Sequence, residues 1–154
     1  MKQIAILLAA STFVISSGAW AQNAENTGYN VNTCDITVLP LDEGHSLVVS
    51  KEKGVTLAAP DKPWHMSQID CLTVIEIMPD KSFKSSGYCS HKDRDGDKWI
   101  DRHWQDSTME KGRYETKGVS GKYMAGGSET GSYVYTDLST ESGCKGVSSW
   151  EADH

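Results

Sequence analysis

A glycine- and tyrosine-rich stretch at residues 118–135, GVSGKYMAGGSETGSYVY, constrains the fold of this chain more than any other segment. Glycine takes backbone angles with positive φ and leaves room for a neighbouring strand, while tyrosine favours strands. We therefore predict a tight bend between two β-strands, with the closest backbone approach in the molecule. The glycines expected to form this bend are Gly118, Gly121, Gly126, Gly127 and Gly131.

The remaining segments are short, rich in β-branched residues and separated by turn residues. No segment repeats apolar residues at the helical period, and residues 59–68 contain two prolines and are expected to form a loop. Strands with turns every 8–12 residues or so are typical of a barrel or a sandwich. The predicted strands span 35–41, 45–51, 54–58, 70–78, 81–90, 98–105, 113–119, 123–124, 131–138 and 145–151.

The N-terminal segment has the pattern of a signal peptide over residues 1–21. Lys2 precedes an apolar run, and Ala19-Trp20-Ala21 has the small-x-small form of a cleavage site. A membrane anchor is the alternative, but the apolar run is shorter than the roughly 20 residues a spanning helix needs. We expect an exported protein, periplasmic or extracellular, with a flexible polar arm at 22–33 and a single β-barrel domain at 34–154.

The net charge of the chain indicates which classes of binding partner to expect. The whole chain has a formal net charge of −6, and loss of Lys2 with the signal segment makes it −7. An acidic chain without a basic cluster argues against nucleic acid and anionic lipid as partners. Nothing after the signal segment is apolar enough to span a membrane.

Four cysteines, an even number, indicate two disulfides in an exported chain. Three connectivities are possible. No C-x-x-C pair occurs, which argues against a redox enzyme or a zinc site. The cysteines are Cys34, Cys71, Cys89 and Cys144.

One connectivity follows from strand register. The segments around the turn pair Pro79-Asp80 can form an antiparallel hairpin in which Cys71 faces Cys89. The same register sets Glu76 against Lys84, an opposite-charge pair, and a slip by one residue would turn every side chain to the other face. We therefore favour the Cys71–Cys89 bond, which leaves Cys34 to pair with Cys144.

A second hairpin at the turn 93–97 extends this reasoning to a candidate pocket. Trp99, Asp101 and His103 alternate along one face of their strand, and His91 faces Trp99 if the hairpin is symmetric about Asp95. In a small barrel this face would form an apolar cup with a polar mouth. The opposite register would bury Ile100 and Trp104 instead. The pocket candidates are His91, Trp99, Asp101, His103, Tyr133 and Tyr135.

The turn Asp93-Arg-Asp-Gly-Asp resembles the first half of a calcium loop, because its carboxylates alternate. An EF-hand would need Gly at its sixth position and Glu at its twelfth, where this chain has Lys98 and Trp104. We expect an exposed Asp-Gly turn here, with a weak calcium site at Asp93, Asp95 and Asp97 as the alternative. No other cofactor is expected.

The glycine-rich stretch also resembles a family motif. Gly118-Val-Ser-Gly-Lys-Tyr-Met-Ala-Gly-Gly, followed by Gly131-Ser-Tyr, is similar to the G-x-G-K-[YF]-x-G…G motif of allene-oxide-cyclase/dirigent-like barrels and of small exported bacterial proteins of unknown function. Residue 120 is Ser where that motif usually has Thr. The resemblance implies an all-β, single antiparallel eight-stranded barrel, here with two disulfides. It does not imply cyclase activity, because the family's catalytic residues have no match here.

These observations lead us to expect a non-catalytic role, in which the barrel binds a small apolar or amphipathic ligand or an envelope protein. One alternative is a periplasmic inhibitor of a secreted hydrolase, since Ser120-Gly-Lys-Tyr resembles the Ser-Gly-x-Tyr loop of periplasmic C-type lysozyme inhibitors. A second alternative is a cyclase-like enzyme. A homo-oligomer would explain an exposed Trp104, because large exposed aromatics often mark an interface.

Overall fold

The computed structural model describes residues 26–140 and 143–153, which form a closed barrel of eight antiparallel strands. Each strand pairs with the next along the chain, and the last strand pairs with the first. The predicted all-β barrel is confirmed, whereas the predicted signal segment 1–21 lies outside the described residues. The strands are β1 (Thr27–Asp42), β2 (His45–Leu57), β3 (Gln68–Ile77), β4 (Phe83–Lys92), β5 (Lys98–Asp106), β6 (Gly112–Gly118), β7 (Ser128–Asp137) and β8 (Cys144–Ala152).

Both hairpin registers predicted from the sequence are confirmed. In the β3–β4 pair, Cys71 faces Cys89 and Glu76 faces Lys84, and the two cysteines form a disulfide. In the β4–β5 pair, His91 faces Trp99. The two registers set the same face of three consecutive strands toward the barrel interior.

The second disulfide, Cys34–Cys144, closes the barrel covalently. It joins β1 to β8 at the last pair of their ladder. The bond therefore ties the first strand to the last, as predicted, and links residues 110 positions apart.

The flexible arm predicted at 22–33 is wrong from Thr27 onward, and residues 22–25 lie outside the described residues. Residues 27–33 belong to β1, where they pair with both β2 and β8. Asn30 accepts a hydrogen bond from the Thr56 hydroxyl, and Asn32 donates one to Glu52. The segment is polar because its inward side chains are hydrogen-bonded asparagines. The residues with which it pairs, in β2 and β8, are distant in the sequence.

Strand β2 is continuous, although the sequence suggested a break before Gly54. Gly54 lies opposite Asn32 in the β1–β2 ladder. A side chain there would collide with the Val31 carbonyl and with Asn32. This glycine therefore allows a close strand approach and does not mark a turn.

The strand predicted at 123–124 is wrong, because these residues lie in a 3₁₀ helix (Gly121–Ala125) between β6 and β7. The helix begins at Gly121, whose φ of +58° is unfavourable for other residues. The ring of Tyr123 lies 4.6 Å from that of Trp99. The stretch 118–135 thus contains a capping helix between two strands and not a simple bend.

Three of the five predicted structural glycines are enclosed by neighbouring atoms. A side chain at Gly121 would collide with the Asp97 carboxylate, one at Gly118 with the Tyr123 carbonyl, and one at Gly131 with the Tyr114 ring. The predicted close backbone approach occurs at Gly118 and Gly131, whereas Gly121 is close to a side chain only, and glycines outside the stretch, Gly28, Gly54 and Gly87, also lie close to backbone carbonyls.

The predicted requirement for glycine at 126 is wrong. Gly126 has an ordinary φ of −81°, and a side chain there would touch only the Tyr123 carbonyl oxygen at ordinary contact distance. Gly127 has a φ of +73° with open space around it. Any demand for glycine in this pair therefore comes from the backbone of Gly127 alone.

One end of the barrel is covered by other segments of the chain, and the other end is open. At one end the 3₁₀ helix and the loop 58–67 lie over the strand ends, and Met66 donates its backbone N–H to the Thr56 carbonyl at 2.8 Å. Ser67 in that loop is fully buried. Short turns connect the strands at the other end, and Ile36, which lines the interior there, is 52% exposed. We call these the covered end and the open end.

No helix in residues 26–140 or 143–153 combines the length and the apolar character required to cross a membrane.

Candidate functional site

The interior of the barrel holds a cavity of about 780 Å³. Side chains alternate between the two faces of a strand, so every strand contributes every second residue to the wall. All six residues predicted to form a pocket line this cavity: His91, Trp99, Asp101, His103, Tyr133 and Tyr135.

The ionisable groups predicted at the mouth of the cavity lie instead near the covered end, and the open end carries polar side chains of its own, those of Lys81, Gln105, Asp137 and Ser139. His91 and Trp99 lie near the covered end and are only 2% and 7% exposed. The aliphatic and phenyl side chains lie toward the open end. The error arose because the register shows which groups share a face, but not which end of the barrel is covered. The apolar side chains are Ile36, Val48, Ile75, Ile77 and Phe83.

A polar cluster surrounds Asp101 in the deep half of the cavity. Asp101 Oδ1 accepts a 2.7 Å hydrogen bond from the Thr116 hydroxyl. Its Oδ2 lies 2.7 Å from His91 Nε2, but neither ring nitrogen of His91 makes an aligned hydrogen bond with a described protein group. The His91 ring stacks on Trp99, with 4.7 Å between centroids. Stacking therefore sets the orientation of the imidazole, and Asp101 provides a nearby negative charge.

His103 occupies the centre of the wall. Its Nε2 lies 3.1 Å from the Thr73 hydroxyl, and its ring meets Tyr133 edge-on. Burial lowers the pKa of His103; Asp101 opposes this effect and His91 reinforces it. The lowered pKa favours a neutral ring, which can both donate and accept hydrogen bonds.

Sequence reasoning missed many of the polar residues on the wall, and three of them could matter for binding. Glu52 and Glu129 are carboxylates from β2 and β7, and Tyr114 is a buried tyrosine from β6. Glu52 faces Cys71 in the β2–β3 ladder, but the long loop 58–67 between these strands leaves their register undetermined by the sequence. Tyr114 and Glu129 depend on the β6–β7 pairing, which has no charge pair or cysteine to indicate it.

The turn at 93–97 is part of the covered end. Asp93 accepts hydrogen bonds from the backbone of Asp95 and Asp97, and its other oxygen accepts one from the Tyr123 hydroxyl at 3.0 Å. Lys122 Nζ lies 2.8 Å from Asp93 and 2.6 Å from Asp95. The predicted exposed turn is therefore wrong at Asp93, which is buried.

The position of Lys122 is relevant to the alternative of a weak calcium site at Asp93, Asp95 and Asp97. Its ammonium lies between carboxylates of Asp93, Asp95 and Asp97, with 4.0 Å to the last. Burial alone would raise the pKa of Asp93, but hydrogen bonds from Lys122 and Tyr123 hold it below its usual range. The described residues contain no group of three or more His, Cys, Asp or Glu side chains that could hold a metal ion.

The Ser120-Gly-Lys-Tyr motif makes internal contacts. The Ser120 hydroxyl accepts a hydrogen bond from the Lys98 backbone at 2.9 Å. Lys122 and Tyr123 both contact Asp93. The motif thus fastens the 3₁₀ helix to the β4–β5 turn.

A scan of family models and a search of curated proteins found no match to this chain.

Proposed function

We propose that this protein is an exported, non-catalytic carrier that binds a small amphipathic ligand inside the barrel. The observation that carries the proposal is the cavity, whose wall has an aliphatic and phenyl patch toward the open end and the polar cluster around Asp101 at depth. Its volume of about 780 Å³ falls in the range of about 300–1,000 Å³ typical of small-molecule sites. A ligand would enter with its polar group first and leave its apolar part against Ile77 and Phe83.

Export is supported by the two disulfides and by the signal-like pattern at 1–21. Stable disulfides belong to oxidising compartments such as the periplasm and the extracellular space. We also propose a distant relationship to allene-oxide-cyclase/dirigent-like barrels, for which the glycine motif and the closed barrel are the support.

Binding has more support than either alternative. An inhibitor loop needs side chains free to enter a target, whereas Ser120, Lys122 and Tyr123 are engaged within the fold. For the cyclase-like alternative, the chain offers no match to the catalytic residues of the family it resembles.

Cavity filling tests the proposal. Ser85 lines the cavity, whereas the next residue, Ser86, is exposed on the outside of the same strand. Binding of decanol, a neutral amphiphile, is measured by titration calorimetry on wild type, Ser85→Trp and Ser86→Trp. We expect Ser85→Trp to abolish binding and Ser86→Trp to leave it within about twofold, since surface changes are usually small.

Near-ultraviolet circular dichroism checks that both variants are folded. Absence of decanol binding to wild type, or equal binding by the folded Ser85→Trp variant, would refute the proposed cavity site.

A further inference from the structure

We propose that the ligand carries a positive charge at its buried end, as a protonated amine does. This inference rests on the proposed function and specifies its ligand class. Three carboxylates from separate strands line the deep and middle wall: Glu52, Asp101 and Glu129. An ammonium group supplies three hydrogen-bond donors and no acceptor, which suits a wall of this composition.

The cations on the described part of the wall do not offset these carboxylates. Lysines line the cavity at two positions, and no described arginine does. Lys122 is held by Asp93 and Asp95 at the covered end, and Lys81 lies in the turn between β3 and β4 at the open end. His91 lies beside Asp101, at 2.7 Å, but no ion pair among the described residues involves Glu52 or Glu129, so carboxylates are in excess in the middle of the cavity.

The carboxylates have unequal hydrogen bonding. Glu52 accepts hydrogen bonds from Asn32 at 3.0 Å and from Ser50 at 3.3 Å, and Asp101 accepts one from Thr116. Burial and the charge of Asp101 raise the pKa of Glu129. A cation bound between Asp101 and Glu129 would relieve this repulsion.

An independent observation points to a ligand in the same place. Tyr114 is only 8% exposed and lines the cavity, yet its buried hydroxyl has no hydrogen-bond partner among the described protein groups. Buried polar groups are nearly always paired, because an unpaired one costs free energy. Its hydroxyl can accept a hydrogen bond from an ammonium, and the ring of Tyr133 on the same wall can add cation–π attraction.

The charge of the wall also disfavours the opposite ligand class. A carboxylate or sulfate head would meet Asp101 and Glu129, and the basic side chain beside Asp101, that of His91, already lies 2.7 Å from this carboxylate. We therefore expect fatty-acid-like anions to bind more weakly than neutral amphiphiles of the same length.

Three matched ligands separate this inference from the proposed function. Decylammonium, decanol and decanoate share one chain and differ in head charge, and each is titrated into wild-type protein at pH 7. We expect decylammonium to bind about 10- to 100-fold more tightly than decanol, as charge-assisted hydrogen bonds do, and decanoate to bind most weakly. If decanol fails to bind, the proposed function fails; if decanol binds but decylammonium is no tighter, only the charge inference is overturned.

A pair of charge-matched variants locates the effect. Glu129→Gln changes a cavity carboxylate, and Glu115→Gln changes an exposed carboxylate on β6 that does not line the cavity. Both alter the net charge equally. We expect only Glu129→Gln to weaken decylammonium, by about fivefold, and to weaken it more than it weakens decanol, while the near-ultraviolet circular dichroism spectrum shows that both variants are folded. Equal weakening by Glu115→Gln, or no weakening by Glu129→Gln, would contradict a cation site beside Glu129.

Discussion

Removal of the Cys34–Cys144 bond should destabilise the barrel more than removal of Cys71–Cys89, because the two bonds close loops of very different length. They join residues 110 and 18 positions apart. In the loop-entropy model these closures contribute about 4.8 and about 3.2 kcal/mol at 25 °C. The expected difference in the free energy of unfolding is therefore about 1.6 kcal/mol.

Urea unfolding of two double variants, C34A/C144A and C71A/C89A, measures this difference by far-ultraviolet circular dichroism. Both bonds connect neighbouring strands and line the cavity, so the loss of sulfur packing should be similar. The urea dependence should also steepen more in C34A/C144A, since its unfolded chain expands more. An equal cost for the two variants, or a larger cost for C71A/C89A, would refute an effect on the unfolded chain and indicate packing instead.

Two further substitutions test the covered end. Lys122→Met should raise the pKa of Asp93, which now lies below 3.8 because Lys122 and Tyr123 offset burial. The stabilisation from Asp93 is fully present above pH 3.8 and is lost as the pH falls through the lower pKa of the folded state. The Tm of Lys122→Met should therefore lie well below that of the wild type at pH 7, and the difference between the two Tm values should shrink in acid. Calorimetric scans showing the same deficit at both would contradict this. Gly121→Ala should lower the free energy of unfolding in urea by at least about 1 kcal/mol, because φ is positive there. Gly126→Ala should lower it little. An equal loss of stability in the two variants would argue against backbone strain at Gly121.

The local parts of this fold could be predicted from the sequence because several independent signals agreed. In the β3–β4 hairpin a charge pair, an apolar pair and a cysteine pair all require one register. The register of the next hairpin then predicted that Trp99 and His103 lie on the same face of the sheet. Two of the six pocket candidates, Tyr133 and Tyr135, were not placed by either hairpin register, and they too line the cavity.

The non-local parts could not be predicted, because their signals lie on partners far away in the chain. Residues 27–33 have the composition of a loose arm, and they form a strand only because β2 and β8 supply hydrogen bonds on both sides. Lys122 and Asp97 are 25 positions apart, so neither segment alone shows that one neutralises the other. The covered end of the cavity depends on the loop 58–67, whose position no strand register determines.

A crystal structure with a bromine-terminated decanol tests the central claim most directly, because anomalous scattering locates the bromine without ambiguity. The account predicts a bromine site inside the barrel toward the open end, beside Ile77 and Phe83, with the hydroxyl at depth among the polar residues of the wall. Bromine bound only on the outer face of the sheet, or no bromine site at saturating ligand, would contradict a binding cavity within the barrel.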